Sequence, residues 1–137
     1  MKARYAPHTH ADRARELLTT ARALMRCLGG SLPVEGAIEP DDATQWQTAM
    51  SALCEVLDEG ALHYAEAPKL TVRAEMAATH AQGMARCIAG TLWNLVNADL
   101  PGPLAATDLA AATRHVECLL QQAIGALPQG DSAGNAT

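Results

Sequence analysis

Apolar side chains recur along this chain at helical spacing in four stretches, separated by turn-forming residues. The first runs from about His10 to Leu28. Leu17, Ala21, Leu24 and Leu28 form its stripe, Leu18 and Met25 lie beside it, and Gly29-Gly30 and Pro33 predict its end. A connection of about eleven residues follows, with Pro33, Gly36 and Pro40 as turn formers. The second stretch opens near Asp41-Asp42, whose carboxylates suit the positive end of a helix dipole. Its stripe is Trp46, Met50, Leu53, Leu57, Ala61 and Tyr64, and Pro68 ends it.

The third stretch opens around Thr71, a predicted N-cap, and carries Ala77, Ala81, Met84, Ile88, Thr91 and Leu95 before Asp99-Leu100-Pro101. The fourth begins between Leu104 and Asp108 and presents Leu109, Val116, Leu120, Ala123 and Leu127. Short connections on either side of the third helix predict antiparallel neighbours. The expected fold is therefore all-α, an up-down four-helix bundle. One domain is expected over residues 1–127, with 128–137 as a disordered tail rich in Gly and polar residues.

A segment repeats within this pattern. Arg26-Cys27-Leu28-Gly29-Gly30-Ser31-Leu32 returns sixty positions later as Arg86-Cys87-Ile88-Ala89-Gly90-Thr91-Leu92. Over 13–32 and 73–92 the two copies share eight of twenty residues, which predicts a duplicated helical hairpin. A Cys beside a Gly in each copy further predicts close packing between the two related helices.

Composition agrees with an all-α chain. Of its 137 residues 49% are apolar, Phe is absent, and Trp46, Trp93, Tyr5 and Tyr64 are the aromatic residues. Alanine favours helices, and the β-branched and aromatic residues that suit strands are few. No apolar run reaches the length of a membrane span, and the N-terminus lacks the apolar core of a signal peptide. Four cysteines without CxxC pairing point to free thiols and a cytoplasmic protein.

A net charge of −5 argues against nucleic acid as a partner. The charge is also segregated. Residues 1–26 hold Lys2, Arg4, Arg13, Arg15, Arg22 and Arg26 against Asp12 and Glu16. Residues 27–68 hold eight carboxylates and no Lys or Arg. A basic first helix is thus expected to meet an acidic second one, within the fold or across a dimer. Arg15, Arg22 and Arg26 are alternatively a docking surface for an acidic partner.

Cys and His are the residues with candidate metal or nucleophile chemistry. At about 100° per residue, Cys27, Cys54 and Cys87 sit about 80° from their stripes, and Cys118 lies nearly opposite its own. Four thiols so placed do not converge on a metal, and buried cysteines acting as small apolar residues are expected instead. The histidines, His8, His10, His63, His80 and His115, are spread over the chain. His63-Tyr64-Ala65-Glu66 reverses the Glu-x-x-His order of di-iron bundles. His8-Thr9-His10 falls in an end expected to fray.

The stretch His80-Ala81-Gln82-Gly83-Met84-Ala85-Arg86-Cys87-Ile88-Ala89-Gly90 is similar to the surroundings of the phosphorylated histidine in histidine phosphotransfer domains, which are small acidic four-helix bundles. The similarity implies His80 as a phosphoacceptor. The lysine of that motif is absent and Gly83 comes one position early. By helical count His80 lies about 60° from the apolar stripe, a boundary position.

Trp93 lies about 160° from Leu95, away from the main stripe. It is expected either to cover the connection after the first helix or to anchor an interface, a role in which Trp is enriched. With no catalytic or cofactor-binding set found, the expected function is non-enzymatic. The chain reads as a small cytoplasmic adaptor, chaperone or inhibitor-like regulator that binds a protein partner or a second copy of itself. Trp93, Arg15, Arg22 and Arg26 are its candidate interface residues. The alternatives are phosphotransfer through His80 and a metal-binding bundle.

Overall fold

A computed structural model describes residues 7–67, 70–97 and 102–128, with residues 7–9 as helix backbone only. Four helices make up the fold: α1 (Pro7–Gly30), α2 (Pro40–Glu66), α3 (Val72–Val96) and α4 (Ala106–Gly125). Each packs against two others, α1 on α2 and α4, and α3 on α2 and α4. Among the described residues the diagonal pairs do not touch. The result is a four-helix bundle with sequence neighbours side by side. Of the expected tail 128–137, Pro128 is described, and residues 129–137 lie outside the described residues.

Local chemistry sets the helix ends. Pro40 occupies the first turn of α2, where its missing N–H leaves no bond unmade, and Asp41 and Asp42 follow it. Thr71 caps α3 as expected, its hydroxyl accepting from the Ala74 N–H at 3.1 Å. Gly29 and Gly30 do not stop α1, which includes both and ends as Ser31 N–H reaches the Cys27 and Leu28 carbonyls.

The core is a graded fit of large against small. Leu18, Met25, Met50, Leu53, Leu57, Leu92, Leu120 and Tyr64 are essentially inaccessible. In α3 the buried positions are mostly alanine, from Ala74 to Ala85. Small residues there let its neighbours approach closely while α2 supplies the bulk. The expected stripe of α2 is buried, save for a half-buried Ala61. That of α4 is buried throughout. In α1 the buried residues include Ala14, Leu17, Leu18, Ala21, Met25 and Leu28, so of the expected stripe only Leu24, 41% exposed, faces out, and Met25 lies inward.

Two glycines permit close helix approach. A Cβ at Gly60 would lie 3.1 Å from Leu17 Cβ and 3.0 Å from Leu18 Cδ2, so α2 presses on α1 there. A Cβ at Gly29 would lie 2.8 Å from Thr113 Oγ1, so the repeated Cys-Gly segment packs α1 on α4. That corrects the expectation of contact between the related helices. α1 and α3 lie across the bundle, and nothing stands within 4 Å of a Cβ at Gly90.

The two long connections meet at one end. Ile38 N–H donates to the Leu104 carbonyl and Ala106 N–H to that of Gly36, each at 2.8 Å. Gly36 reaches this pairing with φ of +87°, a conformation that costs glycine little. Ile38, 2% exposed, closes the core beneath the clasp.

Tyr64 links α2 to α4 at the opposite end, its hydroxyl donating to the Ala123 carbonyl at 2.7 Å. Burial, with a smaller contribution from Glu75, pushes its phenol up to about 12 from an ordinary 10. The raised value means that the fold favours the protonated form. Stability from this group is full below pH 10 and is lost as pH rises toward 12. Unfolding titrations between pH 9 and 12 should show that decline, and Tyr64→Phe should flatten it. The Phe variant should cost only about 1 kcal/mol at neutral pH, because the Ala123 carbonyl still accepts from the Ala126 N–H.

Candidate functional site

The expected interface arginines face α4 and its end. Arg15 donates to the Pro128 carbonyl and pairs with Asp12 at 3.5 Å. Arg22 donates to Gln121 Oε1. Arg26 Nε lies 3.1 Å from Glu117 Oε1, whose side chain is 18% exposed. The basic surface of α1 is therefore drawn along α4 rather than α2. The expected pairing of α1 with acidic α2 is made by Arg13, which bridges Glu16 at 2.9 Å and Glu59 at 3.3 Å. Both carboxylates raise the Arg13 pKa. These are exposed pairs, worth little each in stability, but they occupy the charges that a partner would need.

A second polar cluster joins α2 to α3. Asp58 accepts from Gln82 at 2.9 Å and from Arg86 at 2.7 Å. Burial pushes the Asp58 carboxyl up, but the Gln82 and Arg86 donors outweigh it and hold the carboxyl below its ordinary value. Cys54, one turn earlier, has its thiol pushed up by burial and by the Asp58 charge, which makes it a poor nucleophile.

The other three cysteines, Cys27, Cys87 and Cys118, are exposed, and all four are free. Their expected burial is corrected. Positions about 80° or more from a stripe lie at or beyond the edge of the core when each helix has only two neighbours. Among the described residues, no group of three or more His, Cys, Asp and Glu is placed to hold a metal ion.

Trp93 projects from α3 with 56% exposure. Leu24, Leu62, Val72 and Met76 are the other exposed large apolar side chains on helices. Three of them line grooves. Leu24 borders a cleft of about 310 Å³ between α1 and α2, with Cys27, Leu28, Trp46, Ala49 and Leu53. Met76 borders one of about 430 Å³ between α3 and α4, with Val72, His80 and Leu119. His80 is exposed there rather than at the core boundary. Its side is set by the depth of Ala77, Ala78 and Ala81, which draws the core arc of α3 away from it.

The structure also joins two histidines that the sequence left apart. His10 and His63 face each other across α1 and α2 with Nδ1 atoms 3.0 Å apart and ring centroids 5.3 Å apart. The helix end expected to fray is thus tied to α2 from His10 onward. Fifty-three residues separate the two, so only the α1–α2 register reveals the pair.

Comparison with known proteins finds no matching family model, no matching curated protein and no matching solved structure. Among the described residues, no helix is long and apolar enough to cross a membrane.

Proposed function

We propose that this chain is a small non-enzymatic cytoplasmic protein that works by protein–protein interaction, as an adaptor, chaperone or inhibitor-like regulator. Trp93 carries the reading. An indole with 56% of its surface in solvent, on a helix rather than a loop, offers a large rigid apolar anchor. Four free thiols suit a reducing compartment. The partner is a protein, and a second copy of this chain is the first to test.

Native mass spectrometry under reducing conditions, across a concentration series, should show a dimer or a defined complex. Trp93→Ala should abolish association while changing folding stability by less than about 0.5 kcal/mol, as for other exposed sites. A cooperative loss of helicity in that variant would place Trp93 in the core instead and sink the reading.

The bundle is further proposed to descend from a duplicated hairpin. Supporting this, buried positions 14, 17, 18, 21, 25, 28 and 32 in and after α1 recur at 74, 77, 78, 81, 85, 88 and 92 in α3, at the same offset of sixty.

A second reading, phosphotransfer through His80, is favoured by the exposure of that side chain beside Met76 and Leu119. It requires acid-labile phosphate on the chain after incubation with a phosphorylated response regulator. Label that survives His80→Ala, or no label, would remove it.

A further inference from the structure

We propose that His10 and His63 form a two-imidazole site for a divalent transition-metal ion of tetragonal preference, Ni(II) or Cu(II), that clamps α1 to α2. Imidazole nitrogens are good ligands for such ions. Both rings are half-buried and come from helices, so their positions are set by packing rather than by a loop. Their Nδ1 atoms lie 3.0 Å apart, and in that contact one donates and the other accepts. One ring therefore already presents a bare Nδ1, the form a metal needs, and the other must move its Nδ1 proton to Nε2 or release it to water as the ion binds.

The separation matches one geometry better than the other. With metal–nitrogen bonds of about 2.05 Å, nitrogens 3.0 Å apart subtend about 94° at the ion. That is close to the right angle between cis ligands in a square or tetragonal complex, and short of the ~109° of a tetrahedral zinc site. The ion would sit about 1.4 Å off the line joining the nitrogens, given those bond lengths. Each ring must then turn toward it, a motion about the soft terminal torsion of histidine.

The surrounding register holds the pair in place. Gly60, three residues before His63, lets α1 and α2 approach until a Cβ would meet Leu17 and Leu18. The next rung is the Arg13–Glu59 bridge, which joins the same two helices one turn along. Because no third side-chain ligand joins the histidines among the described residues, the remaining coordination positions are open to water.

The test is calorimetric titration of Ni(II) into the full chain, carrying no polyhistidine tag and no chelator. One ion per chain is expected. Binding should weaken at least tenfold in His10→Gln and equally in His63→Gln, variants that keep a donor and an acceptor. Ni(II) should also raise the melting temperature of the parent chain and not that of either variant.

Absence of binding by the parent overturns the proposal. So does binding that falls with His8→Gln and His10→Gln but survives His63→Gln, since that marks a local N-terminal chelate. Should a variant fail to fold, the parent alone decides. Ni(II) is then expected to broaden the ring resonances of two of its five histidines. Broadening of none, or of all five alike, overturns the site.

Discussion

Replacing Trp46 with alanine is expected to destabilise the fold by about 3–5 kcal/mol, the range for removing a large aromatic ring from a core. The indole is 6% exposed and lies where α2 begins, against the end of α1. It also carries a polar link. Nε1 donates to Ser31 Oγ at 2.9 Å, and Ser31 Oγ donates to the Leu28 carbonyl at 2.8 Å. One side chain thus fills the space between two helices and fixes the first residue of the connection after α1.

Two further variants divide the effect. Ser31→Ala should cost about 1 kcal/mol, since it removes hydrogen bonds and leaves packing intact. Trp46→Phe should fall between them. Denaturant titrations would show a lower midpoint with an unchanged slope if the native state keeps its extent of burial. A change under 1 kcal/mol for Trp46→Ala would mean that the α1–α2 cleft collapses to fill the void. Small domains are stable by about 5–15 kcal/mol in total, so the expected loss brings Trp46→Ala to its unfolding threshold only where the parent lies at the low end of that range.

The difference between α1 and α2 shows what apolar spacing conveys and where it stops. In α2 the large residues Trp46, Met50, Leu53, Leu57 and Tyr64 leave one choice of face, and all of them are buried. In α1 the adjacent pairs Leu17-Leu18 and Leu24-Met25 offer two stripes of nearly equal weight. Packing on α2 and α4 buries both members of the first pair but only Met25 of the second. Spacing alone cannot choose, because the deciding contacts come from other helices.

Cysteine burial fails for a related reason. Residue type argues for the interior, whereas helical phase places these side chains at the flank, and phase is the better guide here. The Gly36–Ala106 and Leu104–Ile38 hydrogen bonds carry no local signal at all, being made between two connections far apart in sequence. The His10–His63 pair is hidden in the same way, since neither residue's neighbours in sequence indicate the other.

The arginines mark the limit of charge patterning. Segregation of basic α1 from acidic α2 suggests their pairing, yet Arg22 and Arg26 take their partners from α4, and Arg15 donates to the Pro128 carbonyl just beyond its end. Net charge by segment does not encode which flank a side chain occupies. Trp93 is legible for the opposite reason. Its angle from Leu95 puts it outside the core whatever the arrangement of neighbours, and it is exposed.

The same α1–α2 contact that aligns the histidines should make Gly60→Leu strongly destabilising. A leucine there meets Leu17 Cβ, 3.1 Å from the new Cβ, before any of its own branch is placed. That atom cannot rotate away, because it is fixed to the α1 backbone. Leu18 Cδ2, at 3.0 Å, belongs to a fully buried side chain without spare volume. The helices must separate, at a cost near the upper end of the usual ~1–3 kcal/mol for overpacking.

Gly60→Ala separates two opposing effects. Alanine gains about 1 kcal/mol in helix propensity over glycine, and the contact must give by a few tenths of an ångström. Its net effect should therefore be small, while Leu18→Ala, which removes the Cγ and Cδ2 atoms 3.5 and 3.0 Å from that position, combined with Gly60→Leu should recover part of the loss. Chemical denaturation of the four chains tests this as a double-mutant cycle. Additive losses would show that α1 and α2 do not press together at Gly60, and the rigid spacing that presents His10 to His63 would lose its support.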